Sequence, residues 1–166
     1  MMLTTARLTL RPFIESDWPF FLSLRQNPQI MRFMADIASE AQIRTLFSAR
    51  LHDANALVIC DKQGTLLGDI GLHISAQHPQ EADVGYAIAP FAQGKGVASE
   101  ALRALCEYAF SCTAVTALNA WVVTENSGSA RLLEKLGFTL TQTLEKALQI
   151  KGVDYDDQAW RLEKTR

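Results

Sequence analysis

The run Gln93-Gly94-Lys95-Gly96-Val97-Ala98-Ser99 is the stretch whose residue types most plainly suggest chemistry. It is a polar turn with two glycines that opens directly onto an apolar-striped segment. Glycines let the backbone approach a ligand closely, and the unpaired amides of a helix's first turn, with the positive end of its dipole, face whatever sits there. That arrangement binds anions, and phosphate is its natural guest. Two glycines alone are more often a turn than a site, and two common phosphate loops do not fit. A dinucleotide fingerprint needs a third glycine where Ser99 stands and an acidic residue at the end of the following strand, where Trp121-Val122-Val123 offers none. A nucleoside-triphosphate loop needs a GxxxxGK run followed by Ser or Thr, which Gly94-Lys95-Gly96-Val97-Ala98 does not supply. Cys60, Cys106 and Cys112 lie in apolar contexts without CxxC spacing and read as buried thiols, and His52, His73 and His78 are scattered, so no metal site is expected.

The loop must be held by its neighbours. Val84, Tyr86 and Ile88 alternate as a half-buried strand, Pro90 ends the pairing, and Ala98, Ala101, Leu102, Leu105, Cys106, Ala109 and Phe110 stripe a helix running to about Ser111. Upstream, Arg7 to Phe13 alternates as a first strand. Asp17 or Ser16 then caps a helix with Trp18, Phe21, Leu22 and Leu24 on its apolar face, ended by Asn27-Pro28. Ser39-Glu40-Ala41-Gln42 has capping-box spacing before the stripe Ile43, Leu46, Phe47 and Leu51. Ala56 to Cys60 and Leu66 to Leu72 form a hairpin around Asp61 to Gly64. Downstream, Ala117 to Val123 is a strand set beside the central one by a right-handed crossover, and Asn126-Ser127-Gly128-Ser129 opens a short helix closed by Gly137. Two strands, roughly 138–148 and 153–162, join near Lys151-Gly152. The order β-α-α-β-β-β-α-β-α-β-β predicts an α/β (α+β) fold whose mixed sheet has about seven strands, antiparallel outside and parallel in the middle. Ligands in such sheets favour the carboxyl ends of strands where neighbours splay apart, here Ile88 to Gln93.

With 166 residues, 48% hydrophobic and 20% charged, the chain fits one domain over residues 1–166. A formal net charge of -2 argues against a nucleic-acid partner and does not repel a cationic amine. The N-terminus has no apolar core followed by a cleavage site and no run reaches membrane-span length, so a soluble, cytoplasmic protein is expected. Monomer and homodimer both remain open.

Gln93-Gly94-Lys95-Gly96-Val97-Ala98 matches the Q/R-x-x-G-x-G/A loop of the GNAT superfamily of N-acetyltransferases, and the element order is similar to that fold across nearly the whole chain. The opening Thr5-Ala6-Arg7-Leu8-Thr9-Leu10-Arg11-Pro12, then Gly85-Tyr86, Glu100-Ala101-Leu102 and the run Asn126 to Phe138 resemble the ribosomal-protein-alanine (Rim-type) branch. The resemblance implies an acetyl-CoA-dependent N-acetyltransferase. The amides of Gln93, Gly94, Lys95, Gly96, Val97, Ala98 and Ser99 would hold the pyrophosphate of acetyl-CoA. Backbone groups of Ala87, Ile88 and Ala89 would pair with the pantetheine arm, and Asn126 and Ser129 would meet the pantetheine and thioester end.

Acyl transfer from a thioester to an amine needs a neutral amine, donors for the oxyanion and a proton for the departing thiolate. At pH 7 an α-amine is about one-tenth neutral, whereas a lysine amine is neutral about once in 2,500, a difference of roughly 3 kcal/mol. Asp83 and Glu81 are the candidate bases, directly or through a water, and each could instead be a solvated strand start. Many superfamily members place a tyrosine acid where this chain has Leu133, so the resemblance leaves Ser129 to donate a hydrogen bond to the sulfur, although it could equally be a plain helix-start residue. The amide near Ile88 is the candidate for polarising the thioester carbonyl. Tyr86 and Trp121 read as core aromatics, and Trp18, Phe33, Tyr155 and Trp160 could line an acceptor groove. The acceptor is a primary amine, with the α-amine of a protein N-terminus first and a polyamine, amino acid or aminoglycoside-like amine next; a CoA-binding module without catalysis is the remaining alternative.

Overall fold

The computed structural model describes residues 1–165. Its strands are β1 (Leu3–Thr4), β2 (Leu8–Pro12), β3 (Ala56–Asp61), β4 (Leu66–Ile74), β5 (Glu81–Ile88), β6 (Ala117–Val123), β7 (Thr139–Ile150) and β8 (Val153–Glu163). Its helices are α1 (Trp18–Arg25), α2 (Pro28–Met31), α3 (Glu40–Leu51), α4 (Val97–Cys112) and α5 (Ser127–Lys135). The eight strands are hydrogen-bonded in the order β1-β2-β3-β4-β5-β6-β8-β7. The mixed α/β architecture expected from the sequence is therefore present, with eight strands rather than about seven. The added one, β1, is a two-residue pairing of Leu3 and Thr4 with Leu10 and Thr9, too short to show any alternation. The chain divides into two compact units, one of Met1–Met31, Ile37–Gly71 and Tyr86–Leu105, the other of Arg32–Asp36, Leu72–Gly85 and the residues from Cys106 onwards. β4, β5 and α4 each contribute to both.

In the first unit β2 pairs antiparallel with β3, from Leu8 opposite Asp61 to Pro12 opposite Leu57. Phe13, Phe21, Ile43, Phe47 and Val58 form a core cluster, in which Phe13 meets Phe21 and Phe47 edge-on at 5.7 and 5.9 Å. That geometry is the preferred one for aromatic pairs. The Ser39 capping box forms as the spacing predicts, with Ser39 Oγ accepting from the Gln42 amide at 3.2 Å and the Gln42 side chain accepting from the Ser39 amide at 3.0 Å. Asp17, in contrast, does not cap α1. It is buried, receives two bonds from the Arg11 guanidinium at 2.8 and 2.9 Å, and accepts from the Ile14 amide at 2.8 Å. A nearby cation outbid the helix for this carboxylate. Nor does Pro28 simply end a helix: α1 stops at Arg25, and Pro28 occupies the first position of one-turn α2, where a missing amide is harmless. That turn makes the helices five instead of the four implied by the sequence order.

In the second unit β5 runs parallel to β6, registered as Glu81, Ala82 and Asp83 against Ala117, Leu118 and Asn119. β6 pairs antiparallel with β8 from Ala117 opposite Glu163 to Val123 opposite Asp157. β7 and β8 form the expected hairpin, turning at Lys151 (φ 51°) and Gly152 (φ 75°), the two left-handed residues that a tight hairpin turn requires. Two expectations of burial fail here. Trp121 is 47% exposed because it lies between buried Ala120 and Val122, and strand alternation turns it to the opposite face. Cys112, the last residue of α4, is exposed, whereas Cys60 and Cys106 are buried. Among the described residues no group of His, Cys, Asp and Glu could hold a metal ion, and no helix is long and apolar enough to cross a membrane.

Candidate active site

The glycine loop lies at the start of α4 in the first unit. Gly94 and Gly96 have φ of 73° and 77°, left-handed values that L side chains rarely adopt, and Gln93 to Gly96 is exposed. Alternating conformations of this kind turn successive amides toward one point. The first hydrogen bond of α4 runs from the Glu100 amide to the Gly96 carbonyl at 3.0 Å, so the amides of Val97, Ala98 and Ser99 precede the helical ladder. The buried Val97 anchors the turn from beneath. Gln93 folds back, its Nε2 donating to the Ile88 carbonyl at 3.0 Å.

The end of β5 is shaped by a β-bulge on β4. Ile59 lies opposite Gly68 and Cys60 opposite Leu66, leaving Leu67 as the extra residue. The carbonyl of Leu67 accepts from the Ala89 amide at 2.8 Å. Beside it the backbones close in so tightly that a Cβ on Gly68 would lie 2.3 Å from the Ala87 carbonyl oxygen and 3.1 Å from Ile88 Cα. Successive strand residues point their polar groups to opposite sides, so Ala87 and Ala89 address β4 and Ile88 addresses the other edge. Of the three residues expected to offer backbone groups to a ligand, Ala87, Ile88 and Ala89, the Ala89 amide is engaged by β4.

The two candidate bases sit on β5 in the second unit, two residues apart and so on one face of the strand. Glu81 is bound at both oxygens by Arg161, at 2.7 and 2.8 Å, and also accepts from Asn119 Nδ2 at 3.1 Å. The Arg161 bonds, followed by the Asn119 bond, bring its pKa down to about 2. Asp83 is shifted the other way, raised from the ordinary aspartate value by partial desolvation first; the charge of Glu81 adds to this and His73 opposes it. Ser75 donates to the Glu81 carbonyl at 3.0 Å, and counting back from that pair along antiparallel β4 and β5 sets His73 opposite Asp83. His73, Gln77, Glu81 and Asp83 line a cavity of about 350 Å³.

Asn126 caps α5 as the sequence predicts, its side chain accepting from the Ser129 amide at 3.3 Å. Ser129 is half-buried in the first turn of α5, and Leu133 is fully buried, so the missing tyrosine is replaced by a core residue. Of the aromatics named from the sequence, Trp18 packs against Phe47 at 5.4 Å in the first unit and Trp160 is buried. Phe33 and Tyr155 meet edge-on at 6.2 Å in the second unit, where Asp36 also accepts from the Lys151 amide at 2.6 Å. Sequence reasoning gave no role to Arg161, Gly68 or His73. Each acts through a partner that is distant in the chain or on another strand, which local spacing does not encode.

The chain is similar to known proteins in sequence and fold. A family model described as acetyltransferase (GNAT) domain matches residues 7–139, which include segments of both units. An uncharacterized N-acetyltransferase of Bacillus subtilis, YoaA, is 29% identical, with 99% of this chain and 98% of the relative covered. The spermidine N-acetyltransferase of Vibrio cholerae, solved in complex with CoA and spermine, superposes with a TM-score of 0.85 at 27% identity, covering 96% of each chain. RimL, a ribosomal L7/L12 alpha-N-protein acetyltransferase solved with coenzyme A, has the same fold at a TM-score of 0.85 and 18% identity over 98% of each chain. The chain belongs to the GNAT family and is an acetyl-CoA-dependent N-acetyltransferase.

Proposed function

We propose that residues 1–166 act as one N-acetyltransferase domain that transfers the acetyl group of acetyl-CoA to a primary amine, with Asp83 rather than Glu81 taking the proton. The observation that carries the choice is the environment of the two carboxylates. Glu81 is saturated by Arg161 and Asn119 and acidified to about 2, which makes it a poor proton acceptor. Asp83 faces a cavity and is raised by desolvation, the direction that a general base near neutral pH requires. The amides of Gln93 to Ser99 are assigned to the pyrophosphate, the Ile88 amide to the thioester carbonyl, and Asn126 and Ser129 to the pantetheine and sulfur end. The resemblance and the loop geometry support these assignments.

The first acceptor in this reading is the α-amine of a protein N-terminus. A modest base suffices there, because about a tenth of such an amine is already neutral at pH 7. A small polyamine is the second reading, favoured by the likeness to the Vibrio cholerae spermidine N-acetyltransferase at 27% identity over 96% of both chains. The test is release of free CoA thiol from acetyl-CoA, followed against a panel of N-terminal peptides and polyamines with the native protein and Asp83→Asn. Turnover with one class, lost in Asp83→Asn, is expected; full turnover in Asp83→Asn with loss in Glu81→Gln would overturn the assignment of the base.

A further inference from the structure

Glu100 presents a physical problem for an anion-binding loop. It stands in the first turn of α4, three residues after Val97, where its negative charge would oppose any phosphate drawn by the helix amides. The structure answers with Arg7. Its Nε donates to Glu100 Oε1 at 2.7 Å and its backbone amide to Glu100 Oε2 at 3.0 Å, while Thr5 Oγ1 donates to that same oxygen. The guanidinium does not stop at the carboxylate. Its Nη1 donates to the carbonyl of Lys95, between the two left-handed glycines, at 2.9 Å, and its Nη2 lies 3.2 Å from where a Cβ on Gly96 would be. The Arg7 side chain is 53% exposed and that of Glu100 20%, so the cation lies on the solvent side of the pair, over the loop.

We infer that Arg7 is a positioning residue for the cofactor loop: it cancels the Glu100 carboxylate beside the phosphate site and fixes the loop through the Lys95 carbonyl. This rests on the reading that Gln93 to Ser99 takes the pyrophosphate. A lysine could supply the charge as a single point, but not the fork that spans a carboxylate and a carbonyl together. The consequence is a sign that distinguishes this role from a simple structural tie. If Arg7 only tethers β2 to α4, losing either partner weakens the loop alike. If it neutralises Glu100, the harm of losing Arg7 comes largely from the carboxylate it leaves behind.

Binding of CoA to the full chain, measured by calorimetry at low and high salt, separates the two. Arg7→Gln is expected to weaken CoA binding by about tenfold at low salt, the size of one charge-assisted hydrogen bond, with a smaller loss at high salt. Arg7→Lys should fall between, and the double variant Arg7→Gln/Glu100→Gln should bind more tightly than Arg7→Gln alone. In turnover, the KM for acetyl-CoA should rise while kcat and the KM for the amine hold. A native protein that binds CoA together with a folded Arg7→Gln variant whose affinity is unchanged would overturn this inference alone, as would a double variant no better than Arg7→Gln. If Arg7→Gln does not fold, a salt-independent CoA affinity in Arg7→Lys equal to that of the native protein overturns it. Failure of the native protein to bind CoA would overturn the reading of the loop and this inference with it.

Discussion

Replacing Gly68 with alanine probes the point at which the β4 bulge meets the end of β5. The added Cβ would start 2.3 Å from the Ala87 carbonyl oxygen and 3.1 Å from Ile88 Cα, both backbone atoms that no rotamer change can move. A carbon and a carbonyl oxygen come to rest at about 3.3 Å, so the strands must part locally by about 1 Å. The Ala89 to Leu67 hydrogen bond, 2.8 Å long, would then be stretched past its useful range. Its loss costs about 1 kcal/mol and the overpacking a further 1–3, giving about 2–4 kcal/mol in all. For a chain of this length that corresponds to a fall in melting temperature on the order of 10 °C. Urea denaturation followed by circular dichroism reads the stability directly, and calorimetry with CoA reads the displacement of Ile88, which should lower affinity as well. Gly71→Ala is the control, since its Cβ would meet nothing closer than the Asn55 carbonyl oxygen at 3.9 Å. Equal urea midpoints for Gly68→Ala and Gly71→Ala would refute the argument.

Asp83→Asn should lower kcat/KM by about a hundredfold without shifting the melting temperature, and should abolish the acid limb of the pH profile, which lies above the ordinary aspartate value because desolvation raises the group. Glu81 contributes with the opposite sign. Its pKa falls from 4.5 unfolded to about 2 folded, so the unfolded chain binds more protons in that interval. The stabilisation is whole above the unfolded value and drains away as the pH falls through the folded one; Arg161→Gln should flatten the slope of urea midpoint against pH there. Asp69→Ala should cost about 3–5 kcal/mol in urea titrations, because it strands the Arg25 guanidinium that now pairs with both carboxylate oxygens in the core at 2.8 and 3.0 Å. Replacing both partners by apolar residues of similar volume, Arg25→Met with Asp69→Leu, should recover most of that loss.

What could be read from the sequence was what the chain settles within a few residues of itself. The loop from Gln93, the Ser39 capping box, the Asn126 cap and the Lys151-Gly152 turn each depend on neighbours less than a helical turn away, and each forms where its spacing puts it. Asp17 shows where that logic ends. Its type and position are those of a helix cap, yet Arg11 on the preceding strand holds it in a buried ion pair. Trp121 shows a second limit, since its bulk suggests the core but the alternation of β6 turns it outward. The candidate bases show a third. Glu81 and Asp83 are carboxylates on one strand and one face, and their spacing alone does not tell them apart. Arg161, on β8, reaches past Asn119 on β6 to bind and acidify Glu81, while desolvation raises Asp83. Two acids on one face of a strand can thus meet opposite environments, because one cation delivered by the last strand binds the first and leaves the second unbound by it.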